Sequence, residues 1–160
     1  MLQTALQFLH DHNEIAFATC EGNLPKIRVF QIMKQEGTVL YFATSPEKSV
    51  YRQLHENPSV ELLASAGKVS VRCVGAVTFD VPDDVQQWIY NNNEVLPRLY
   101  TSYSKLAYFS LNIAELDYFD LRSTPPILKH FDLITGGTGD GFVGERFKKQ
   151  PDSTLSLAVS

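Results

Sequence analysis

The first 45 residues of this chain hold three apolar runs separated by nothing but tight turns, and that spacing constrains the fold more than any other feature. "EIAFATCEG" closes on Glu21-Gly22-Asn23, "PKIRVFQIMKQ" follows it, and "GTVLYFATS" begins after Glu36-Gly37. Gly and Asn supply turn conformations that other residues adopt only at a cost. Parallel neighbours need a crossover of about a dozen residues or more, so short turns force antiparallel pairing and a three-stranded meander. A short amphipathic helix precedes it, because Leu2, Ala5, Leu6 and Leu9 recur at helical spacing in "LQTALQFLHDH".

Residues 46 to 56 then read as one short helix. Ser45 is its expected N-cap, Pro46 its first helical position, where a missing N–H is no loss, and Asn57-Pro58 its stop. "SVELLAS" and "KVSVRCVGAVTFDV" form two more strands about a Gly67 turn, the second long enough to bend at Gly75. Pro82-Asp83-Asp84 opens a helix carrying Val85, Trp88 and Ile89, a second helical piece runs to about Tyr100, and "AYFSLNIAELDYFDL" ends the set as strand. A doubly wound parallel sheet would need a helix between nearly every pair of strands. The expected fold is therefore mainly β with flanking helices, an antiparallel barrel of six or so strands, closed or split, with helices on its rim.

At 160 residues and 18.0 kDa one core is expected. Residues 1–133 make the domain, with 122–133 as an arm containing the turn "TPP". Five of the nine glycines fall between 136 and 144, so 134–160 reads as a Gly-rich flexible tail.

With 44% hydrophobic and 20% charged residues and a net charge of −4, the composition is that of a globular protein. A pI near 5.5 argues against a nucleic-acid partner. No apolar run approaches the ~20 residues of a spanning helix, and "MLQTALQFLHDHNE" lacks the pattern of a signal peptide, so no membrane role and a cytoplasmic location are expected. Cys20 and Cys73 lie in strand-like stretches without partners at ligand spacing and read as reduced, buried thiols. No metal site is expected, since His10, His12, His55 and His130 are scattered and read as solvated.

"GGTGDG" at 136–141 lacks the strand before it and the helix after it that a phosphate loop requires, and no Gly-x-Ser-x-Gly elbow occurs. No residue qualifies as a general acid or base.

The stretch "YFATSPEKSVYRQLHENPSVEL" is different. A strand ending in Thr44-Ser45 that feeds a helix start supplies hydroxyls, free N–H groups and the positive end of a helix dipole, to which Lys48 adds a charge and Ser49 a hydroxyl. Those parts suit a phosphate, although capping serines and a surface lysine would look the same. Arg28, on a neighbouring strand of the meander, needs a partner to justify its place in "IRVFQIM" and has the reach to join that pocket.

In order and spacing, "KIRVFQIMK", "GTVLYFATS", "KSVYRQLHENPSVELL" and "VSVRCVGAVTFD" resemble segments of the pyridoxamine 5'-phosphate oxidase-like family of FMN-binding split barrels, from the N-terminal helix to about Leu121. The general-stress and nitroimidazole-resistance-like branch is the most similar. The resemblance implies a six-stranded split barrel with FMN at a homodimer interface. It implies that Arg28, Thr44, Lys48 and Ser49 surround the phosphate and ribityl chain, and that Val29, Phe30 and Gln31 run along the isoalloxazine edge. Tyr41, Phe42 and Ala43 would lie beneath the cofactor, with Arg72 or Ser70 approaching from the next strand. Where true pyridoxamine phosphate oxidases carry an Arg-Lys pair this chain has Ser49-Val50, and their C-terminal Arg- and His-bearing signature is missing after "LDYFDL". The implied function is an FMN-dependent oxidoreductase acting on a small acceptor. A non-catalytic module for flavin, deazaflavin or haem, and a cofactor-free interaction domain, are the alternatives.

Overall fold

The computed structural model describes residues 1–140. Helix α1 (Leu2–Asp11) leads into β1 (Glu14–Glu21), β2 (Leu24–Gln31), the short β3 (Lys34–Glu36) and β4 (Val39–Thr44). After α2 (Ser49–Glu56) come β5 (Ser59–Ala66) and β6 (Val69–Thr78), then α3 (Asp83–Asn91), α4 (Leu96–Leu99) and a 3-10 turn at Tyr103–Lys105. The long β7 (Ala107–Asp120), β8 (Ile127–Asp132) and β9 (Thr138–Asp140) complete the described chain.

The strands form one antiparallel sheet in the order β2-β1-β5-β6-β7-β4-β3, and β8 and β9 extend it from the C-terminal half of β7. Alternation sets its faces. Ile15, Phe17 and Thr19 of β1, Val60, Leu62 and Ala64 of β5, and Val69, Val71 and Cys73 of β6 are all buried at every second position. The sheet rolls until its ends meet inside, because Phe30 of β2 lies 6.1 Å from Phe42 of β4 although these strands stand at opposite ends of the order. Phe17, Phe42 and Phe109 fill the same interior, the last two stacked at 5.2 Å. Among the described residues β2 has β1 as its sole strand partner, so the barrel is split as the sequence resemblance implies.

A second cluster covers the other face of β4. Ala43 packs with Val81, Ile89, Leu96, Leu106 and Tyr108 from the segment between β6 and β7. Burial on both faces explains why "VLYFAT" is continuously apolar instead of alternating. Tyr90, Tyr100, Tyr103 and Tyr108 belong here. Tyr108 is buried and donates to the Tyr103 carbonyl, Tyr90 donates to the Tyr100 carbonyl at 2.6 Å, and Tyr103 donates to Asp83.

Gly75 marks the bend in β6. The β6–β7 register shifts between Val74 and Gly75, and a Cβ at 75 would stand 2.6 Å from the Asn112 carbonyl oxygen. Only glycine allows this approach.

Four sequence expectations change. The three-stranded meander does not form: β2 pairs with β1, but the second apolar run breaks after Gln31 into the short β3, and β4 pairs with β3 and with β7 at the far end of the sheet. The helix expected from residue 46 begins at Ser49 with Lys48 as N-cap, because Ser45–Lys48 closes a β-turn: Lys48 N–H donates to the Ser45 carbonyl and Pro46 takes the turn's second position. The arm and the start of the expected tail contain β8 and β9, with Gly136 at positive φ between them, while residues 141–160 of that tail lie outside the described residues. His130 is not simply solvated, since its Nδ1 is 2.7 Å from Asp117. Cys73 is buried and Cys20 half-buried.

Candidate functional site

The corner between β4 and α2 is built from its hydroxyls outward. Thr44, the last residue of β4, is 3% exposed, and its Oγ1 has no hydrogen-bond partner among the described residues. An unpaired buried hydroxyl is costly, so such an atom points to something that completes it. Ser45, also buried, accepts from the Glu47 N–H at 3.2 Å and thereby holds the turn. The turn sets Lys48 and Ser49 in solvent at the head of α2. Beside it opens a cleft of about 410 Å³ whose lining includes Ser45, Tyr100, Thr101 and Lys105.

Arg28 approaches the same helix from β2. Its Nη1 donates to Thr19 Oγ1 at 2.8 Å and to the Phe17 carbonyl at 3.2 Å, and its Nη2 donates to Gln53 Oε1 at 2.8 Å. Gln53 lies on α2 four residues after Ser49, hence on the same helix face one turn on. Among the described residues no carboxylate pairs with Arg28, and burial holds its pKa below the ordinary guanidinium value. A half-buried cation among neutral acceptors is a site for an anion.

Of the other residues singled out in the sequence, Phe30 and Phe42 pack in the barrel interior and Ala43 lies under the helical cover. Val29 is exposed on the outer face, and Gln31 Oε1 accepts from Asn93 Nδ2 at 3.2 Å. Among the described residues β2 is a strand with one neighbour, which leaves its outer backbone edge open to a ligand. Arg72 stands elsewhere. Its cross-strand partners are Leu63 and Asp117, whereas Arg28 belongs to the inward row of Phe17, Leu62 and Cys73. Arg72 also pairs with Asp117 at 2.8 Å, with Glu61 at 3.5 Å, and lies over the Phe119 ring. The sheet thus separates the two arginines within one chain.

The sequence reading missed Thr19 and Gln53, the residues that hold Arg28. The signal was present: Thr19 continues the inward row of Ile15 and Phe17, and Gln53 shares the buried side of α2 with Val50 and Leu54. Polar side chains at core positions require partners.

An orphaned buried hydroxyl, an uncompensated cation and an open strand edge fit a phosphorylated ligand with a polar-edged planar ring, as FMN is. No described helix is long and apolar enough to cross a membrane, and among the described residues no group of three His, Cys, Asp or Glu side chains is placed to hold a metal.

An open antiparallel sheet rolled on an aromatic interior, with a hydroxyl-bearing strand-to-helix corner, defines a split barrel. The sequence model for pyridoxamine 5'-phosphate oxidase matches residues 1–112, and the chain belongs to that family. Among solved structures, a NimC/NimA family protein from Clostridium acetobutylicum is 24% identical, with TM-score 0.66, 79% of this chain and 91% of that one covered. A pyridoxamine 5'-phosphate oxidase-related, FMN-binding protein from Nostoc punctiforme is 14% identical, with TM-score 0.69 and coverage of 86% and 92%. A haem-binding protein from Mycobacterium smegmatis is 12% identical, with TM-score 0.60 and coverage of 74% and 53%. These likenesses concern the fold. No curated protein sequence matches the chain.

Proposed function

We propose that the protein binds FMN, as a homodimer, and acts as a flavin-dependent oxidoreductase on a small-molecule acceptor. The observation that carries this reading is the Arg28 guanidinium, held among the described residues by neutral acceptors, one of them Gln53, a helical turn from Ser49. Arg28 and Lys48 would neutralise the phosphate, Thr44 Oγ1 would donate the hydrogen bond it lacks, and Ser49 would add a second hydroxyl. The outer backbone edge of Val29–Gln31 would meet the polar rim of the ring. When bound, FMN supplies hydride or electron transfer, and the chain supplies position and electrostatics. That division of labour agrees with the absence of an acid–base constellation from the sequence.

The likeness to a haem-binding protein favours a second reading, a binding module without turnover. Haem needs an axial ligand. His130 has both ring nitrogens engaged, by Asp117 and Glu115, and is not free for that role without rearrangement, while the His55 ring is stacked on Phe79 at 4.2 Å. Flavin is the better fit.

The test is an absorbance spectrum from about 300 to 500 nm with FMN added to the purified protein, followed by nicotinamide-dependent reduction. Bound flavin that is lost in Arg28→Ala and Lys48→Ala supports the site, and its reduction supports the oxidoreductase. Bound flavin that no nicotinamide reduces selects the binding module, and FMN left free at micromolar concentration overturns both.

A further inference from the structure

We infer that Gln53 is a positioning residue that keeps the charge of Arg28 open for the phosphate of a flavin nucleotide, by offering a neutral oxygen where a carboxylate would close the pair. The inference rests on the FMN reading above.

Gln53 is 3% exposed, on the side of α2 that also buries Val50 and Leu54. Its Oε1 accepts from Thr19 Oγ1 at 2.6 Å and from Arg28 Nη2 at 2.8 Å, and Thr19 Oγ1 accepts from Arg28 Nη1 at 2.8 Å. The three side chains close a triangle that fixes the guanidinium between β1, β2 and α2. A guanidinium offers five N–H donors, and this network engages only part of them. Orientation is thus fixed while the full positive charge is retained.

The surrounding charges show why an amide stands here. Glu21, two residues beyond Thr19 on β1, is bound by Arg52, which precedes Gln53 on α2, and Arg52 together with the attraction of Lys26 holds its pKa below the usual value. The Glu21 carboxylate is thus engaged by another arginine, while Gln53 gives Arg28 a neutral carbonyl oxygen. Lys26, opposite Thr19 in the β1–β2 register, adds a second positive charge to this corner. A glutamate at 53 would have the same shape and both hydrogen bonds, but it would form an internal ion pair with Arg28. A phosphate would then have to compete with it.

The experiment compares the parent protein with Gln53→Glu and Gln53→Met. FMN and riboflavin, which lacks the phosphate, are titrated against each by fluorescence quenching, and each ligand-free variant is melted. The expected result is a Kd for FMN raised about tenfold or more in Gln53→Glu, with riboflavin affinity unchanged and the melting temperature equal to the parent's or higher. Gln53→Met keeps the charge of Arg28 but loosens it, so its FMN affinity falls between the other two. A purely structural role gives the opposite order, because Glu keeps both hydrogen bonds and Met keeps neither. That order, or equal losses for FMN and riboflavin, overturns the inference. Should Gln53→Glu not fold, a folded Gln53→Met that loses FMN altogether also overturns it, and one that retains FMN with weakened affinity supports it. A parent that binds neither flavin overturns the FMN reading and this inference together. A parent that binds FMN beside an unaffected Gln53→Glu overturns this inference alone.

Discussion

The unpartnered Thr44 hydroxyl separates ligand binding from stability within one side chain. In the ligand-free protein it is a buried donor with nothing to receive it, so Thr44→Val is expected to raise stability by about 1–3 kcal/mol. The same change removes a hydrogen bond to an anionic ligand and is expected to weaken FMN roughly tenfold. Melting curves and FMN titrations of one variant check both signs; a loss of stability would mean that the hydroxyl is satisfied within the protein. The cysteines divide just as cleanly. Burial, followed by the nearby Asp117 charge, pushes the Cys73 thiol pKa up, while Cys20 is half-buried. A thiol reagent is expected to modify one cysteine in the native protein and both in denaturant. Two thiols reacting at the same rate without denaturant would contradict the burial of Cys73.

At the scale of elements, Gly75 shows how a local residue choice shapes the barrel. The missing side chain lets β6 approach the Asn112 carbonyl where the β6–β7 register shifts. Gly75→Ala is expected to lower stability by about 1–3 kcal/mol through overpacking, read as a lower denaturant midpoint with little change in slope. The bend was legible in the sequence because glycine inside a long strand pattern has few other uses. Strand order was legible only in part: short turns place β2 beside β1 and β6 beside β5, but β4 leaves β2 and pairs with β7 and β3, a long-range choice that no turn signals. The start of α2 was not. Ser45-Pro46 suits both an N-cap followed by a first helical residue and the opening of a β-turn, and the bond from Lys48 N–H to the Ser45 carbonyl decides for the turn. Arg28 stood out in the sequence because a cation inside an apolar strand pattern needs a partner. What holds it, Gln53 and Thr19, appears only when β1 and α2 are brought together.

For the whole molecule, the outer face beside β2 bears on assembly. Ile27 and Val29 are 71% and 69% exposed and Leu63 is 42% exposed. The register places them together: Val29 opposite Ala16, Ala16 opposite Leu63, and Ile27 opposite Ala18. An apolar patch on an edge strand is an aggregation hazard unless something covers it. A second copy would do so, and homodimer interfaces are the more apolar class. The patch lies on the strand that also carries Arg28, so a partner docked there would stand beside the proposed flavin site, where it could shield the ring from water. The parent is therefore expected to sediment at twice 18.0 kDa, and Val29→Glu, which places a charge in the patch centre, at the monomer mass with its melting transition largely kept. If the partner covers the flavin, the same variant binds FMN more weakly at low micromolar protein although every residue proposed to contact the phosphate is intact. Parent FMN affinity should then decline on dilution in step with dissociation. A Val29→Glu protein that remains dimeric places the interface on another face, and one that becomes monomeric with unchanged FMN affinity makes each chain's site complete by itself.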